Sequence, residues 1–136
     1  MLNKERQEEV VELCQHLIQK QSYSGHEDGV AGVLEEQLKK KGFDSVTVDK
    51  YGNVIGCIKG NRPGKKILFD GHIDTVPVTD ETEWQYPPFA AEIHDGKIYG
   101  RGTSDMKGAV AGFVTAAAAF AEDTKKDFAG EIYVAG

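Results

Sequence analysis

His72 and Asp74 stand one residue apart directly after an apolar run, and their types and spacing indicate metal chemistry. The run at residues 67–69 predicts a strand buried on both faces of a sheet. Residues two apart in an extended segment point the same way, so the Asp74 carboxylate can orient the His72 ring. That pairing is the usual support of a histidine that ligates a metal. A His-x-Asp triplet alone is more often a polar turn than a metal site. The metal interpretation therefore depends on a second sequence element.

The second element is the glycine-rich segment at residues 100–108, which places Asp105 at a chain reversal. Imidazole and carboxylate groups suit zinc. The simpler alternative is that Asp105 is the N-cap of the helix that follows. Both roles are compatible, since a carboxylate at a helix start can still offer an oxygen to a metal. Arg101 and Lys107 in the same segment are expected to serve structure.

Two amphipathic helices are predicted at the start of the chain. Asn3 caps the first, which runs to about Lys20 with one apolar stripe. Ser24 and Glu27 form a capping box in front of the second helix, which Gly42 ends.

The remaining elements predict a layered α/β domain with a mixed central sheet flanked by helices. Strands are predicted at residues 43–50, 54–58 and 130–136, with residues 61–64 as a polar loop. The pair Asp95-Gly96 predicts a two-residue hairpin turn. Small uncharged residues after Asp105 predict a helix pressed closely against the sheet. The strand before His72 delivers it to the C-terminal edge of the sheet, where open α/β folds place their ligands.

Composition narrows the classes of partner and compartment. The 136 residues make one domain, and 22 acidic against 16 basic residues give a net charge of −6, which argues against a nucleic-acid partner. Cys14 and Cys57 lack a metal-type spacing and indicate reduced thiols in a cytoplasmic protein. The charged residues 4–9 do not fit a secretory signal. The uncharged stretch at residues 108–121 is too short to span a membrane, so no membrane partner is expected.

Three motifs in this order resemble the co-catalytic zinc metallohydrolases, the group of the aminoacylases, acetylornithine deacetylases, succinyl-diaminopimelate desuccinylases and carboxypeptidase G. They are Gly-His-Ile-Asp-Thr-Val-Pro at residues 71–77, Trp84 followed by Pro-Pro-Phe at residues 87–89, and the segment at residues 100–108. The resemblance covers essentially the whole chain. It implies that residues 1–136 are the N-terminal part of a zinc-exopeptidase-like catalytic domain.

The resemblance also implies roles for the site residues. His72 would ligate one metal, Asp105 would bridge two, and Asp74 would be a catalytic residue that orients His72 without binding metal. A complete site would hold two zinc ions, with cobalt or manganese as alternatives. The activity implied is hydrolysis of an amide bond in an N-acyl amino acid or a small peptide.

The family pattern continues with parts that cannot be placed in this sequence. These are a glutamate pair that includes the general base, further metal ligands, and a lid domain with substrate and dimer contacts. The chain alone is therefore expected to be inactive and to hold metal partially or not at all. The alternative function is that of a truncated, catalytically incomplete chain, at most a weak metal-binding domain or one that self-associates into a homo-oligomer.

Overall fold

The computed structural model describes residues 2–136, in which three helices pack on a four-stranded mixed sheet and a separate two-stranded ribbon lies beside them. The helices are α1 (Lys4–Ile18), α2 (Asp28–Lys40) and α3 (Gly108–Thr124). The strands are β1 (Ser45–Val48), β2 (Val54–Lys59), β3 (Arg62–Asp70), β4 (Glu92–His94), β5 (Lys97–Tyr99) and β6 (Ala129–Ala135). This architecture confirms the predicted fold class.

The sheet has the strand order β1-β2-β6-β3, and β4 and β5 form the ribbon. Strands β1 and β2 are antiparallel, as are β2 and β6, whereas β3 and β6 run parallel. Ile67 of β3 lies beside Ile132 of β6, and Phe69 lies beside Val134. The last strand of the described chain therefore lies inside the sheet, and β3 lies at its edge.

The two predicted helix starts have different outcomes. The Asn3 side chain accepts a hydrogen bond from the Arg6 amide at 2.9 Å, as the predicted cap requires. The predicted capping box before α2 is wrong, because the helix begins only at Asp28 and no side chain caps it. Glu27 instead accepts a hydrogen bond from the Gly25 amide at 2.7 Å, and the Ser24 hydroxyl bonds to a distant residue.

The core lies between the helices and one face of the sheet. Its buried apolar side chains come from all three helices and from β2 and β6, and they include Leu13, Leu17, Ile18, Val30, Leu34, Leu38, Val54, Ile58, Val110, Val114, Ile132 and Val134. Cys14 and Cys57 are buried free thiols. No helix within residues 2–136 is both long enough and apolar enough to cross a bilayer.

Strand β3 departs from its predicted burial. Ile67, Leu68 and Phe69 are 51%, 59% and 40% exposed, so the prediction of a strand buried on both faces is wrong. The reason is the position of β3, since only β6 pairs with it in the described chain. The ring of Phe69 stacks on that of Phe113 of α3, with the centroids 6.2 Å apart. The loop predicted at residues 61–64 is also wrong, because β3 already begins at Arg62.

The predicted hairpin turn between β4 and β5 is confirmed. Asp95 and Gly96 both adopt positive φ, at 50° and 73°, which is the backbone that a two-residue hairpin of the type I′ form needs.

Candidate metal centre

His72 and Asp74 follow the C-terminal end of β3, and the structure brings both to Asp105. Atom Nδ1 of His72 lies 3.0 Å from Oδ1 of Asp74 and 3.1 Å from the Asp74 backbone oxygen. The other ring nitrogen, Nε2, lies 2.8 Å from Oδ1 of Asp105. The three predicted site residues therefore form one continuous cluster, although Asp105 is 33 positions from His72 in the sequence.

Asp105 reaches this cluster from a tight turn in front of α3. The turn, Thr103–Lys107, is irregular, because the backbone at Asp105 and Met106 is not helical. It follows Gly102, whose φ of +86° lies in the left-handed region that glycine tolerates best. The Asp105 side chain is 87% exposed and accepts no N-cap hydrogen bond of α3, whose N-cap position is Lys107. The alternative that Asp105 is the helix N-cap is therefore wrong, and its carboxylate is free to face His72.

Lys107 anchors the Asp105 turn to the rest of the domain. Its side chain is fully buried, and its ammonium group donates to the carbonyl oxygens of Leu17 and Lys20, each at 2.8 Å. These carbonyls stand at the C-terminal end of α1, where helices leave backbone acceptors unsatisfied. Burial lowers the pKa of Lys107 to about 8. The structure gives Lys107 the structural role that was expected of it.

Ser24 is a member of the cluster that sequence reasoning missed. Its hydroxyl donates to Oδ2 of Asp74 at 2.5 Å, although 50 positions separate the two residues. The only local signal is a serine three residues before a glutamate, and that pattern predicts a helix cap. A pairing that depends on the approach of a remote loop leaves no such local signal.

Hydrogen bonds within the cluster shift two pKa values in opposite directions. The hydrogen bond to Asp105 raises the pKa of the His72 imidazole, and contacts with Asp74 act in the same direction. The hydrogen bond from Ser24 lowers the pKa of the Asp74 carboxyl group, and the nearby His72 adds to this. Asp74 is therefore held as a carboxylate that can accept the His72 Nδ1–H.

A cavity of about 290 Å³ opens at the cluster and joins two of the sequence motifs. It is lined by His72, Asp74, Asp105 and Arg101 among others. The Arg101 guanidinium lies 5.0 Å from the centre of the Trp84 ring, and its Nε–H is buried without a hydrogen-bond partner in the described chain. The tryptophan of one motif thus holds the arginine of another beside the candidate site.

The donors present fit part of a zinc shell. One imidazole nitrogen and one carboxylate oxygen face each other at 2.8 Å, and both are first-choice ligands for zinc. Asp74 accepts from the opposite ring nitrogen, which leaves Nε2 of His72 as the atom that can bind a metal. Within residues 2–136 no three or more histidine, cysteine, aspartate or glutamate side chains are grouped so that they could hold an ion. The described chain therefore supplies two donors rather than a whole shell.

Comparisons with known proteins point to one group. The profile of peptidase family M20/M25/M40 matches residues 68–135. Succinyl-diaminopimelate desuccinylase of Beijerinckia indica is 39% identical over 132 residues, which cover 92% of this chain and 34% of the relative. The M20 family metallo-carboxypeptidase Sso-CP2 of Sulfolobus solfataricus superposes with a TM-score of 0.82 at 25% identity, covering 93% of this chain and 30% of that one.

A third comparison agrees on the fold. YXEP of Bacillus subtilis, a dinuclear metal binding peptidase of the M20 family, gives a TM-score of 0.70 at 18% identity, covering 98% of this chain and 35% of that one. The chain thus spans about a third of the length of the relatives that it matches.

Proposed function

Because the chain belongs to peptidase family M20/M25/M40, we propose that it forms the N-terminal part of a catalytic domain that hydrolyses an amide bond in an N-acyl amino acid or a small peptide. The observation that carries this proposal is the contact of His72 with Asp105 at the end of β3, inside the segment that matches the family. The names of the desuccinylase and carboxypeptidase relatives support amide-bond hydrolysis in general. We also propose N-acyl amino acids or small peptides as the substrate class. A cytoplasmic location is proposed because both cysteines are free thiols, as is usual in a reducing compartment.

In this proposal His72 and Asp105 are metal ligands and Asp74 is the positioning residue behind His72. Bound divalent metal ions would supply Lewis acidity toward the substrate carbonyl and lower the pKa of a water molecule. The chain's own contribution is to present Nε2 of His72 and the exposed carboxylate of Asp105 to the same point. Asp74 can accept the Nδ1–H of His72, and Nε2 on the opposite side of the ring would then bind the metal ion when one is present. Zinc is the metal proposed, with cobalt or manganese as alternatives.

A second candidate function is that of a catalytically incomplete chain that self-associates. The observation that favours it is the apolar edge of β3, where Ile67, Leu68 and Phe69 are exposed. A long exposed edge strand is a template for pairing with another chain. Under either function we expect the 136-residue chain alone to show no measurable amidase activity, because no third acidic or histidine side chain completes the site within the described residues.

Zinc titration of the metal-free chain by calorimetry tests the metal centre. We expect one weak site per chain that is lost in His72→Ala and strongly weakened in Asp105→Asn. The matched control is His16→Ala, because His16 is a half-exposed histidine of α1 whose ionic partner is the neighbouring Glu12. Zinc binding that survives His72→Ala would contradict the proposed ligand set. Two tight sites per chain would contradict the view that the described residues supply only two donors.

A further inference from the structure

Ser24 stands at the start of a line of hydrogen bonds that ends at the candidate metal ligands. Its hydroxyl reaches Oδ2 of Asp74 at 2.5 Å, and the other carboxylate oxygen of Asp74 lies 3.0 Å from Nδ1 of His72. Nε2 of His72 then faces Asp105 at 2.8 Å. Each oxygen of Asp74 therefore has its own partner, one on the serine and one on the imidazole.

The loop that carries Ser24 is fixed against the segment that carries Asp74. The Ser22 hydroxyl donates to the carbonyl of Ile73 at 2.7 Å, and the Thr75 amide donates to the carbonyl of Ser22 at 2.7 Å. Tyr23 and Thr75 form a parallel bridge between the same two segments. Ser22 and Thr75 are both buried, so these contacts are shielded from water. The position of Ser24 relative to Asp74 is thus set by the backbone and not by the Ser24 hydroxyl alone.

The Ser24 hydrogen bond restrains a carboxylate that is partly exposed. The Asp74 side chain is 35% exposed, and within residues 2–136 the side chains of Ser24 and His72 contact its carboxylate oxygens. A hydrogen bond from a neutral donor to a carboxylate is stronger than one between neutral groups, and it fixes the plane of the acceptor. In that plane Oδ1 lies 3.0 Å from Nδ1 of His72, where it can accept the Nδ1–H.

We propose that Ser24 is a positioning residue that holds the Asp74 carboxylate against Nδ1 of His72, so that Nε2 of the ring stays directed toward Asp105, where a divalent metal ion would bind. The inference rests on the proposed function, since it assigns His72 to a metal. It replaces the helix-capping role that the sequence suggests for Ser24, because no side chain caps α2. Partners of this kind behind a ligating histidine typically change metal affinity ~10–100-fold when they are removed.

The test compares Ser24→Ala, which loses the hydroxyl, with Ser24→Thr, which keeps it. Ser45→Ala is the control, because Ser45 is an exposed serine on β1. The first measurement uses the metal-free 136-residue chain at a pH where both ring nitrogens of His72 carry a proton, and it reads the hydrogen bond to Asp74 from the rate at which the Nδ1–H exchanges with water. The second measurement is zinc affinity by calorimetry. Amide spectra of each variant check that the fold is retained.

We expect a slowly exchanging Nδ1–H of His72 in the wild type, in Ser24→Thr and in Ser45→Ala, and a fast exchange with water in Ser24→Ala. Zinc affinity should fall ~10-fold or more in Ser24→Ala only. If the Nδ1–H of Ser24→Ala exchanges as slowly as that of the wild type, the role of Ser24 is wrong while the metal site stands. If Ser24→Thr fails as Ser24→Ala does, packing and not the hydroxyl is responsible, and the proposal is again wrong. If the wild type binds no zinc through His72, the metal proposal fails, and the exchange rate of the Nδ1–H still decides whether Ser24 holds Asp74 against the ring.

Discussion

Replacing Lys107 by methionine should destabilise the domain, and the loss should grow with pH. Methionine has a similar length and removes the ammonium group that donates to the carbonyls of Leu17 and Lys20. Leaving a buried acceptor without a partner costs ~1–3 kcal/mol. Removing a buried charge offsets part of that loss, because the desolvation of an ion is unfavourable. We expect a net loss of about 2 kcal/mol in the free energy of unfolding at pH 7.

The pH dependence follows from the lowered pKa of Lys107. Burial lowers it from 10.5 to about 8, so between these values the unfolded chain binds the proton that the folded chain has lost. The wild type therefore gains stability as pH rises through this window, and that gain disappears as pH falls below 8. Each pKa unit corresponds to ~1.4 kcal/mol, so the full gain is at most about 3.5 kcal/mol. Burial also raises the pKa of the nearby Cys14 thiol. A neutral thiol does not stabilise the Lys107 ammonium group, so Cys14 does not oppose the lowered pKa of Lys107 at the start of this pH range.

Urea unfolding of the wild type and of Lys107→Met at several pH values between 7 and 10.5 measures the difference. Subtracting the two curves removes the titration of the groups that both proteins share. Lys97→Met serves as a control for the loss of an exposed lysine, and its difference from the wild type should stay flat. A stability gap for Lys107→Met that does not widen above pH 8 would refute the lowered pKa. A variant more stable than the wild type at pH 7 would refute the importance of the two carbonyl contacts.

Two further changes test the turn before Asp105 and the edge of the sheet. Gly102→Ala should cost more stability than Gly96→Ala, because both have positive φ but only at Gly102 would a Cβ meet another side chain, Cγ2 of Thr75 at 2.7 Å. The strain of a left-handed alanine is ~1–2 kcal/mol in both variants, so thermal unfolding should show an additional loss for Gly102→Ala, and equal losses would contradict the close approach. Leu68→Lys should reduce self-association of the 136-residue chain in sedimentation velocity, since a lysine on an edge strand disfavours pairing. Self-association that is unchanged in Leu68→Lys would place the contact elsewhere.

Local rules predicted the elements whose determinants lie close together in the sequence. The Asn3 cap and the Asp95-Gly96 turn depend on neighbours within a few residues, and both are present. The convergence of His72 and Asp105 has a different cause. Helix α3 connects back to β6, which runs parallel to β3, so the N-terminal end of α3 lies at the edge of the sheet where β3 ends. The cap and the turn needed no knowledge of which distant segments meet.

The errors concern features that distant segments decide. Nothing around Ser24 shows that Asp74 approaches it, so the capping box was the stronger local signal. The apolar run of β3 has the composition of a buried strand. Its exposure follows from the position of β3 at the edge of the sheet, which the composition of the run does not indicate. The burial of Lys107 is likewise decided by the carbonyls at the end of α1, and a lysine in a charged segment gives no sign of it.

The position of β6 inside the sheet has a consequence for the rate and order of folding. The β1–β2 hairpin closes a short loop, whereas the pairing of Ile67 with Ile132 joins segments far apart in the sequence. Distant pairings form slowly, because loop closure has to precede the contacts that stabilise it. Until β6 inserts, β2 and β3 both lack a neighbour that the folded sheet provides. We therefore expect refolding to be limited by the arrival of β6, and the interval before it to be the period in which the chain is most prone to aggregate.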